Sequence, residues 1–370
     1  MSVVYKKLED VCEILDSRRV PITAKDRKAG AFPYYGANGL QDHVADYIFD
    51  DELVLLAEDG GNFGSKERPI AYRVSGKCWV NNHAHVLKAK PNMHVDYLCY
   101  ALMFYDTEGL VNGATRQKLT QAAMRQMVIP YRDMTEQLQI IEKISQIVRA
   151  IEKRKEELQL LDQLVKSRFI ELFGDPKQNP KGYPVKEFDE ISVLITDGEH
   201  ATPRRTDKGI YLLSARNILN HALQLDDVDY IDEEEYTRIA RRIVPQAGDV
   251  LISCSGSIGR CCVVPEELRF QMVRSAALIR FDDTVKPVFA EWLITSDELQ
   301  RQISMSATQS SQANLFQGKI RKLRGYVPPM ELQEQFAAFV EQTDKSKLAV
   351  QKGLQELEIL KKTLMQQYFG

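Results

Sequence analysis

His83 and His85 are separated by a single residue, and Glu58 and Asp59 stand together before a pair of glycines. Imidazole and carboxylate groups are side chains that bind metal ions and transfer protons. The spacing of the two histidines is typical of a strand, however, which turns one of them towards the core and the other towards solvent. We therefore expect neither a metal site nor a hydrolytic site here, and we interpret the acidic pair as part of a turn.

Signatures of common enzyme classes are absent from the sequence. It has no G-x-x-x-x-G-K loop followed by Ser or Thr, no G-x-G-x-x-G after a strand, no H-E-x-x-H and no G-x-S-x-G. The Asp/Asn-Pro-Pro-Tyr/Phe tetrapeptide of amino-methyltransferases is missing as well. The segment 255–259 resembles a phosphate-binding turn, but no lysine follows it. We expect no catalytic site, no metal ion and no cofactor in this chain.

Length and composition indicate a folded protein with more than one domain. A chain of 370 residues exceeds what one hydrophobic core usually holds, and its 44% hydrophobic and 27% charged residues lie near the averages of globular proteins. There is neither an apolar run that could span a membrane nor a secretory signal, so we expect a cytoplasmic protein. The six cysteines include no C-x-x-C pair, which indicates buried, reduced thiols.

The distribution of charge is more informative than the net charge of -3. Residues 109–132 contain four basic side chains and no acidic one, and residues 299–330 contain five basic side chains and no acidic one. The two windows occupy equivalent places in an internal repeat. Duplicated acid-free windows favour contact with a twofold polyanion such as duplex DNA, and solvated loops are the alternative.

We predict that side chains of these windows, together with others elsewhere in the two halves, contact DNA, without separating those that read bases from those that bind phosphates. In the first half of the chain they are Arg18, Arg19, Tyr34, Lys66, Arg68, Thr115, Arg116, Gln117 and Lys118. In the second half they are Arg204, Arg205, Arg216, Asn217, Ser311, Gln312, Asn314, Lys319, Arg321, Lys322 and Arg324.

The second half of the chain repeats the first at an offset of about 196 residues. Leu119 corresponds to Leu315 at this offset, whereas Gln137 corresponds to Gln335 after a slip of two residues. An apolar strand followed by a G-x-x-G turn occurs in both halves, and each half closes with Phe-Gly. The pattern predicts a tandem duplication.

Each half reads as a strand-rich block followed by one long helix. Asp133 and Glu136 have the spacing of a capping box, and a Gly-Asp-Pro stop signal begins at Gly174. Between them, apolar residues recur at alternating steps of four and three, with Lys155 and Asp162 as polar interruptions. The second helix repeats this seam. We predict that the two seams pair in an antiparallel coiled coil; helices that separately cover two domains are the alternative.

As a set, these features resemble the specificity subunit of type I restriction-modification systems. The likeness covers essentially the whole chain. It rests on the two long helices ending in Phe-Gly, on the apolar-Pro segments that precede Glu-Gln, and on segments similar to T-x-Q-x-L, which contain Thr115, Gln117 and Leu119 in the first half and Ser311, Asn314 and Leu315 in the second. The resemblance implies an α+β, pseudo-twofold fold with two target-recognition domains, each reading one half of a split DNA sequence in the major groove.

The resemblance also implies a division of the chain and a set of partners. We expect target-recognition domains at 1–132 and 176–329, and coiled-coil helices at 133–175 and 330–370. Two methyltransferase (M) subunits would bring S-adenosylmethionine, and restriction or motor (R) subunits would bring ATP. Apolar residues off the seam are predicted to contact partner subunits, namely Leu160, Leu161, Leu164 and Leu360.

The sequence thus predicts a non-catalytic subunit that recognises a bipartite double-stranded DNA target and scaffolds its partner subunits. A recognition subunit of a related phage-defence system with a different effector is one alternative. A coiled-coil adaptor that binds proteins is the other.

Overall fold

The computed structural model describes residues 3–113, 116–306 and 314–370. Within it the chain forms two compact units. Unit 1 comprises Met1–Glu156 together with Gln351–Gly370, and unit 2 comprises Glu157–Val350. The predicted division into four segments stays a prediction. Three of the predicted DNA contacts, Thr115, Ser311 and Gln312, lie outside the described residues.

A six-stranded sheet is the centre of unit 1. The strands described in this unit are β1 (Val4–Lys7), β2 (Cys12–Ile14), β3 (Ala29–Gly36), β4 (Gly39–Val44), β5 (Phe49–Ala57), β6 (Ala71–Val80), β7 (Ala84–Ala89), β8 (Val111–Asn112), β9 (Lys118–Leu119) and β10 (Val128–Tyr131). The sheet order is β2-β7-β5-β6-β3-β4, and β1 pairs with β10 and β8 with β9 outside it. The apolar run Leu53–Ala57 of β5 is fully buried, as expected for a strand that is covered on both faces.

Helices pack against one face of this sheet. They are α1 (Leu8–Val11), α2 (Val95–Met103), α3 (Gln121–Gln126) and the first part of α4 (Met134–Phe173). Leu98 and Leu102 of α2 share a core with Val54 and Leu56 of β5. The opposite face of β5 packs in a second core cluster that contains Leu53 and other strand residues.

Unit 2 repeats part of this arrangement. Its described strands are β11 (Val185–Glu187), β12 (Ser192–Asp197), β13 (Ile210–Leu213), β14 (Ile218–Leu219), β15 (Ala222–Leu223), β16 (Asp229–Ile231), β17 (Val250–Ser253), β18 (Cys261–Val263), β19 (Phe270–Met272), β20 (Ala276–Phe281) and β21 (Arg324–Tyr326). Unit 2 contains a four-stranded sheet with the order β12-β20-β17-β18, whose first three strands repeat the order β2-β7-β5 of unit 1. A second sheet of unit 2 has the order β16-β13-β19. β14 pairs with β15, and β11 with β21.

Some helices of unit 2 meet in an aromatic cluster. The helices described in this unit are α5 (Glu233–Ala240), α6 (Pro287–Ile294), α7 (Asp297–Ser306), α8 (Gln317–Ile320) and α9 (Met330–Phe369), together with the last part of α4. The rings of Phe169 and Phe173 meet the ring of Phe336 edge to face at centroid distances of 5.4 and 5.5 Å. Such pairs each contribute about 0.5–1.5 kcal/mol beyond the burial of their area.

The two long helices begin and end where the sequence indicates. The backbone N–H of Glu136 donates to the Asp133 carboxylate at 2.8 Å, which caps α4. At its other end Gly174 has a φ of +80°, a left-handed conformation that terminates helices and favours glycine. α4 and α9 each contain 40 residues.

Within each unit, α4 and α9 pair antiparallel. In unit 1, Lys143 lies beside Tyr368 and Lys155 beside Glu358. In unit 2, Asp162 pairs with Lys347, and Phe169 packs on Phe336. Residue numbers thus fall along α9 as they rise along α4. The predicted fold class, α+β with two long antiparallel coiled-coil helices, is confirmed.

Two buried glutamines show that the repeat keeps one offset here. Gln137 accepts from the N–H of His94 and donates to the carbonyls of Asn92 and Arg132. Gln333 accepts from the N–H of Lys286 and donates to the carbonyls of Thr284 and Pro328. Gln137 therefore corresponds to Gln333 and not to Gln335. The predicted slip of two residues is wrong. The sequence comparison matched the Glu-Gln pair at 136–137 with the Glu-Gln pair at 334–335, but the buried amide of unit 2 belongs to Gln333.

The cysteines and the two histidines of the strand pattern are placed as the sequence predicts. All six cysteines are buried and unpaired, and burial raises the pKa of Cys12 to about 12. His85 is fully buried whereas the side chain of His83 keeps 34% of its exposure, as the strand pattern predicts. No helix among these residues combines the length and hydropathy that a membrane span requires.

Candidate nucleic-acid interface

The basic segment Arg116–Leu119 of unit 1 is held on the acidic turn that follows β5. The N–H of Leu119 donates to the Glu58 carbonyl at 2.7 Å, and the N–H of Gly60 donates to the Gln117 carbonyl at 3.2 Å. The Lys118 ammonium lies 3.0 Å from the Glu58 carboxylate. The basic residues of the first window are thus held by acidic residues that lie about 60 positions earlier in the chain.

A buried network beneath this segment fixes its position. Asp16 accepts from His85 Nδ1 at 2.6 Å, from the N–H of Val86 at 2.9 Å and from the Gln121 amide at 2.9 Å. His85 Nε2 lies 2.9 Å from the Leu119 carbonyl. Burial raises the pKa of Asp16, but the hydrogen bond and charge of His85 and the other donors outweigh it and leave this pKa below its usual value.

Glu58 completes the network from the other side. Its carboxylate accepts from Arg19 at 2.6 Å, and Arg19 also donates to the carbonyl of Ala84 at 2.7 Å. Burial raises the pKa of Glu58, but the hydrogen bonds from Arg19 and Lys118 leave it lower than usual. Asp16, Glu58 and His85 place their ligand atoms within 4.8 Å of one another. Because Arg19 and Lys118 already neutralise these carboxylates, we interpret the network as ion pairs that position β9.

Near this network, unit 1 has a cleft of about 540 Å³. Arg116 stands at the cleft, where its guanidinium lies 2.8 Å from Asp59 Oδ1 and 3.3 Å from His83 Nδ1. Asp59 also lies 2.6 Å from His83 Nδ1. Sequence reasoning missed most of this cleft, which is lined by Pro21, Ile22, Thr23, Arg27, Tyr34, Gln41, Asn81, Asn82, His83 and Arg116. Its residues are scattered over almost a hundred positions.

The other residues predicted for unit 1 divide into exposed and internal ones. Lys66 and Arg68 are exposed between β5 and β6, and no described acidic side chain is within pairing distance of either. Arg18 is exposed and lies over the ring of Phe49. Arg19 and Tyr34 are engaged inside the unit, since Tyr34 is 1% exposed and its hydroxyl contacts Ile22. Their predicted DNA contacts stay predictions.

In unit 2, several of the predicted arginines are neutralised by acids. Arg204 pairs with Asp232 and Glu234 at 2.9 and 2.8 Å. Arg205 and Arg216 share Asp229 at 3.0 and 3.1 Å. Asn217 is 1% exposed, and its amide donates to the backbone carbonyls of Gln224 and Asp227. Asn217 thus stabilises the hairpin β14–β15.

The segment of unit 2 that precedes α9 presents three cations without acidic partners among the described residues. Lys319, Lys322 and Arg324 are exposed, and none has an acidic partner among the described residues. Arg321 differs, because it pairs with Asp189 and donates to the Ile195 carbonyl at 2.9 Å. Asn314, at the start of this segment, forms an isolated bridge with Ser255. Of the basic segments predicted to contact DNA, this one leaves the most unpaired positive charge at the surface.

The long helices carry exposed apolar side chains outside their seam. Leu160 and Leu164, one turn apart on α4, are 55% and 49% exposed, and Leu360 of α9 is 45% exposed. Leu161 is half-buried. Isolated exposed leucines are ordinary, but a pair at i and i+4 forms a local apolar surface.

Comparison with known proteins shows which family the chain resembles. The family model of the type I restriction modification DNA specificity domain matches residues 2–161. A Haemophilus influenzae protein named as a type I restriction enzyme specificity subunit is 25% identical over 95% of this chain and 90% of its own length. Over most of its length the chain is therefore similar to specificity subunits of type I restriction-modification systems.

Two solved structures from type I restriction-modification systems share the fold. The type I S subunit from M. genitalium aligns over 100% of this chain and 96% of its own, with 12% identity and a TM-score of 0.60. A chain from a structure of type I system assembly and conformational transition aligns over 100% and 99%, with 15% identity and a TM-score of 0.59. The resemblance inferred from sequence is therefore confirmed.

Proposed function

We propose that this chain recognises a bipartite sequence in double-stranded DNA, with one half read by each unit. The observation that carries the proposal is the segment before α9, where Lys319, Lys322 and Arg324 are exposed without acidic partners among the described residues. Unpaired cations that bind phosphates release counterions from DNA, which gives the salt-dependent part of the affinity. Cations already paired with acids contribute little to this part. Arg116 and Lys118 lie in the equivalent basic window of unit 1 and are paired with acids, so they would contribute through the position of their side chains more than through their charge.

The chain would work in the cytoplasm as a scaffold without a catalytic site of its own. Two methyltransferase subunits would bind it and supply S-adenosylmethionine, and restriction or motor subunits would supply ATP hydrolysis. The exposed leucines of α4 and α9 support this role, because they provide apolar surface that the antiparallel seam does not use.

The test replaces the unpaired cations and compares them with paired ones. In the complex with its methyltransferase partner, K319A/K322A/R324A should weaken binding to specific and random duplexes alike. The slope of log affinity against log salt should flatten by about 0.9 for each phosphate that the variant no longer binds. The matched triple variant R204A/R205A/R216A, whose arginines are neutralised by acids, should change this slope much less. Unchanged affinity of the first variant for every duplex would contradict the proposal.

A further inference from the structure

The cleft of unit 1 holds Arg116 in one place although its side chain is 59% exposed. Asp59 accepts from the guanidinium, and His83 closes the contact from the next loop. Gly60 has a φ of +63°, and a Cβ atom built there would stand 3.3 Å from Arg116 Nε. Arg116 therefore lies directly over a glycine that the turn requires. An arginine fixed in this way loses little further side-chain entropy when it binds.

Gln41 is a second polar side chain of the cleft, and the buried Asn81 holds it in position. Asn81 is 3% exposed, and its amide donates to Gln41 Oε1 at 3.0 Å while its oxygen accepts from the N–H of His83 at 2.8 Å. A Cβ atom on Gly36 would overlap the Gln41 amide at 2.3 Å. The buried Asn81 thus orients both Gln41 and the backbone of His83. Fixed amide and guanidinium groups are the side chains that read base edges.

The charges of the cleft disfavour a phosphate as its ligand. Arg116 is paired with Asp59 at 2.8 Å, and Arg27 is paired with Asp42 at 3.3 Å. Each of these two arginines that line the cleft therefore has its own carboxylate. A neutral ligand with several acceptors suits such a site better than an anion does. Lys66 and Arg68 of the same unit have no described acidic partner and are better suited to phosphates.

We propose that this cleft reads a guanine in the half-site bound by unit 1, with Arg116 donating to O6 and N7 of the base in the major groove. Asp59 and His83 position the guanidinium, and Asn81 positions Gln41, which lines the same cleft. The assignment rests on the proposed DNA recognition and goes beyond it, because it names one base and the group that reads it. It also separates base reading by Arg116 from phosphate binding by Lys66 and Arg68.

The test determines the recognition sequence of the complex between this chain and its methyltransferase partner. Methylation sequencing of a randomised duplex library gives the sequence for the wild type and for R116A, R116K and D59N. R116A and R116K should lower discrimination at one G·C pair by about tenfold to a hundredfold, since lysine keeps the charge but not the bidentate geometry. The other half-site should stay the same. D59N should lower the same discrimination, because it removes the carboxylate that holds the guanidinium in place.

The matched control is R68A, which should weaken all duplexes alike and leave the sequence unchanged. Circular dichroism shows whether each variant is folded, and R116K keeps the test valid if R116A is not. A recognition sequence that R116K leaves intact overturns the assignment. So does an equal loss for all duplexes with a flatter salt slope, which would identify Arg116 as a phosphate contact. A wild-type complex that methylates no preferred sequence would instead overturn the proposed DNA recognition, and the cleft assignment with it.

Discussion

Asp16 accepts hydrogen bonds from three donors although its side chain is only 4% exposed. It connects the start of unit 1 to β7 and α3, which lie about 70 and 105 positions later. A buried carboxylate is costly unless its charge and lone pairs are satisfied. The donors around Asp16 satisfy them, which is why its pKa lies below the usual value despite burial. Its ionised form therefore stabilises the folded unit.

Replacing Asp16 by Asn should destabilise unit 1 by about 2 to 3 kcal/mol at neutral pH, because charge-assisted hydrogen bonds are lost in a buried place. A carboxyl group with a lowered folded pKa stabilises the protein above its unfolded pKa, which is about 3.9, and loses this effect as the pH falls through the folded value. The difference between wild type and D16N should therefore shrink below about pH 4. Urea unfolding followed by Trp79 fluorescence, with Trp292 changed to Phe in both proteins, measures it.

The exposed Asp10, which has no described partner, provides the control for this prediction. D10N should leave the unfolding free energy almost unchanged at every pH. A D16N protein that is as stable as wild type at neutral pH would show that the buried network contributes nothing.

Which basic residues are free to bind DNA could not be predicted from sequence alone. Arg204 and Lys322 both occur in basic stretches, but Arg204 meets Asp232 and Glu234, about 30 positions away, whereas Lys322 meets no described acid. Arg19 likewise pairs with Glu58, 39 positions on. The residues around a basic side chain in the sequence do not show which distant acid it will pair with. The strand alternation at His83 and His85 was predictable because it depends on neighbouring positions only.

At the scale of elements, the polar interruptions of the seam have partners across it. Lys155 meets Glu358 at 3.5 Å, and Asp162 meets Lys347 at 2.7 Å. Burial lowers the pKa of Lys347, but the hydrogen bond and charge of Asp162 outweigh it and leave the pKa raised. Because these pairs are partly exposed, each contributes little to stability. A polar pair at one position of a coiled coil does specify register, since sliding either helix would separate the charges.

Leu160 and Leu164 provide the prediction at this scale. Changing both to Gln should abolish co-purification with the methyltransferase subunit, because two apolar contacts of an interface are replaced by amides that must lose water. The circular dichroism spectrum should stay the same, since both side chains are exposed. V193T is the matched control, because Val193 is 66% exposed on β12 of the same unit but lies off the long helices. Co-purification of L160Q/L164Q at wild-type stoichiometry would rule out this surface as the docking site.

For the whole molecule, the internal repeat was the most informative property of the sequence. It predicted two strand-rich blocks and two long helices, because duplicated sequences fold alike and the heptad pattern extends over many turns. The alignment of the halves also shows that the acidic pair Glu58-Asp59 has no acidic counterpart in the second half, where Ser253 and Cys254 occupy the matching positions and are buried. Such differences lie in the residues that vary between the halves. The shared positions, such as Gln137 and Gln333, build the scaffold.

The last prediction concerns the distance between the two half-sites. One heptad inserted into α4 and one into α9, each between the ion pairs Lys155–Glu358 and Asp162–Lys347, keeps both pairs and the seam intact. It adds seven residues of helix between them, about 10 Å, which corresponds to about three base pairs. The preferred spacer should lengthen by that amount while the half-site bases stay the same. Because three base pairs also rotate the duplex by roughly a third of a turn, affinity should fall unless the units rotate with it.

Selection from a randomised-spacer library, with wild-type and lengthened complexes, measures the spacer. A lengthened complex that binds well and still prefers the wild-type spacer would show that the paired helices do not set this distance.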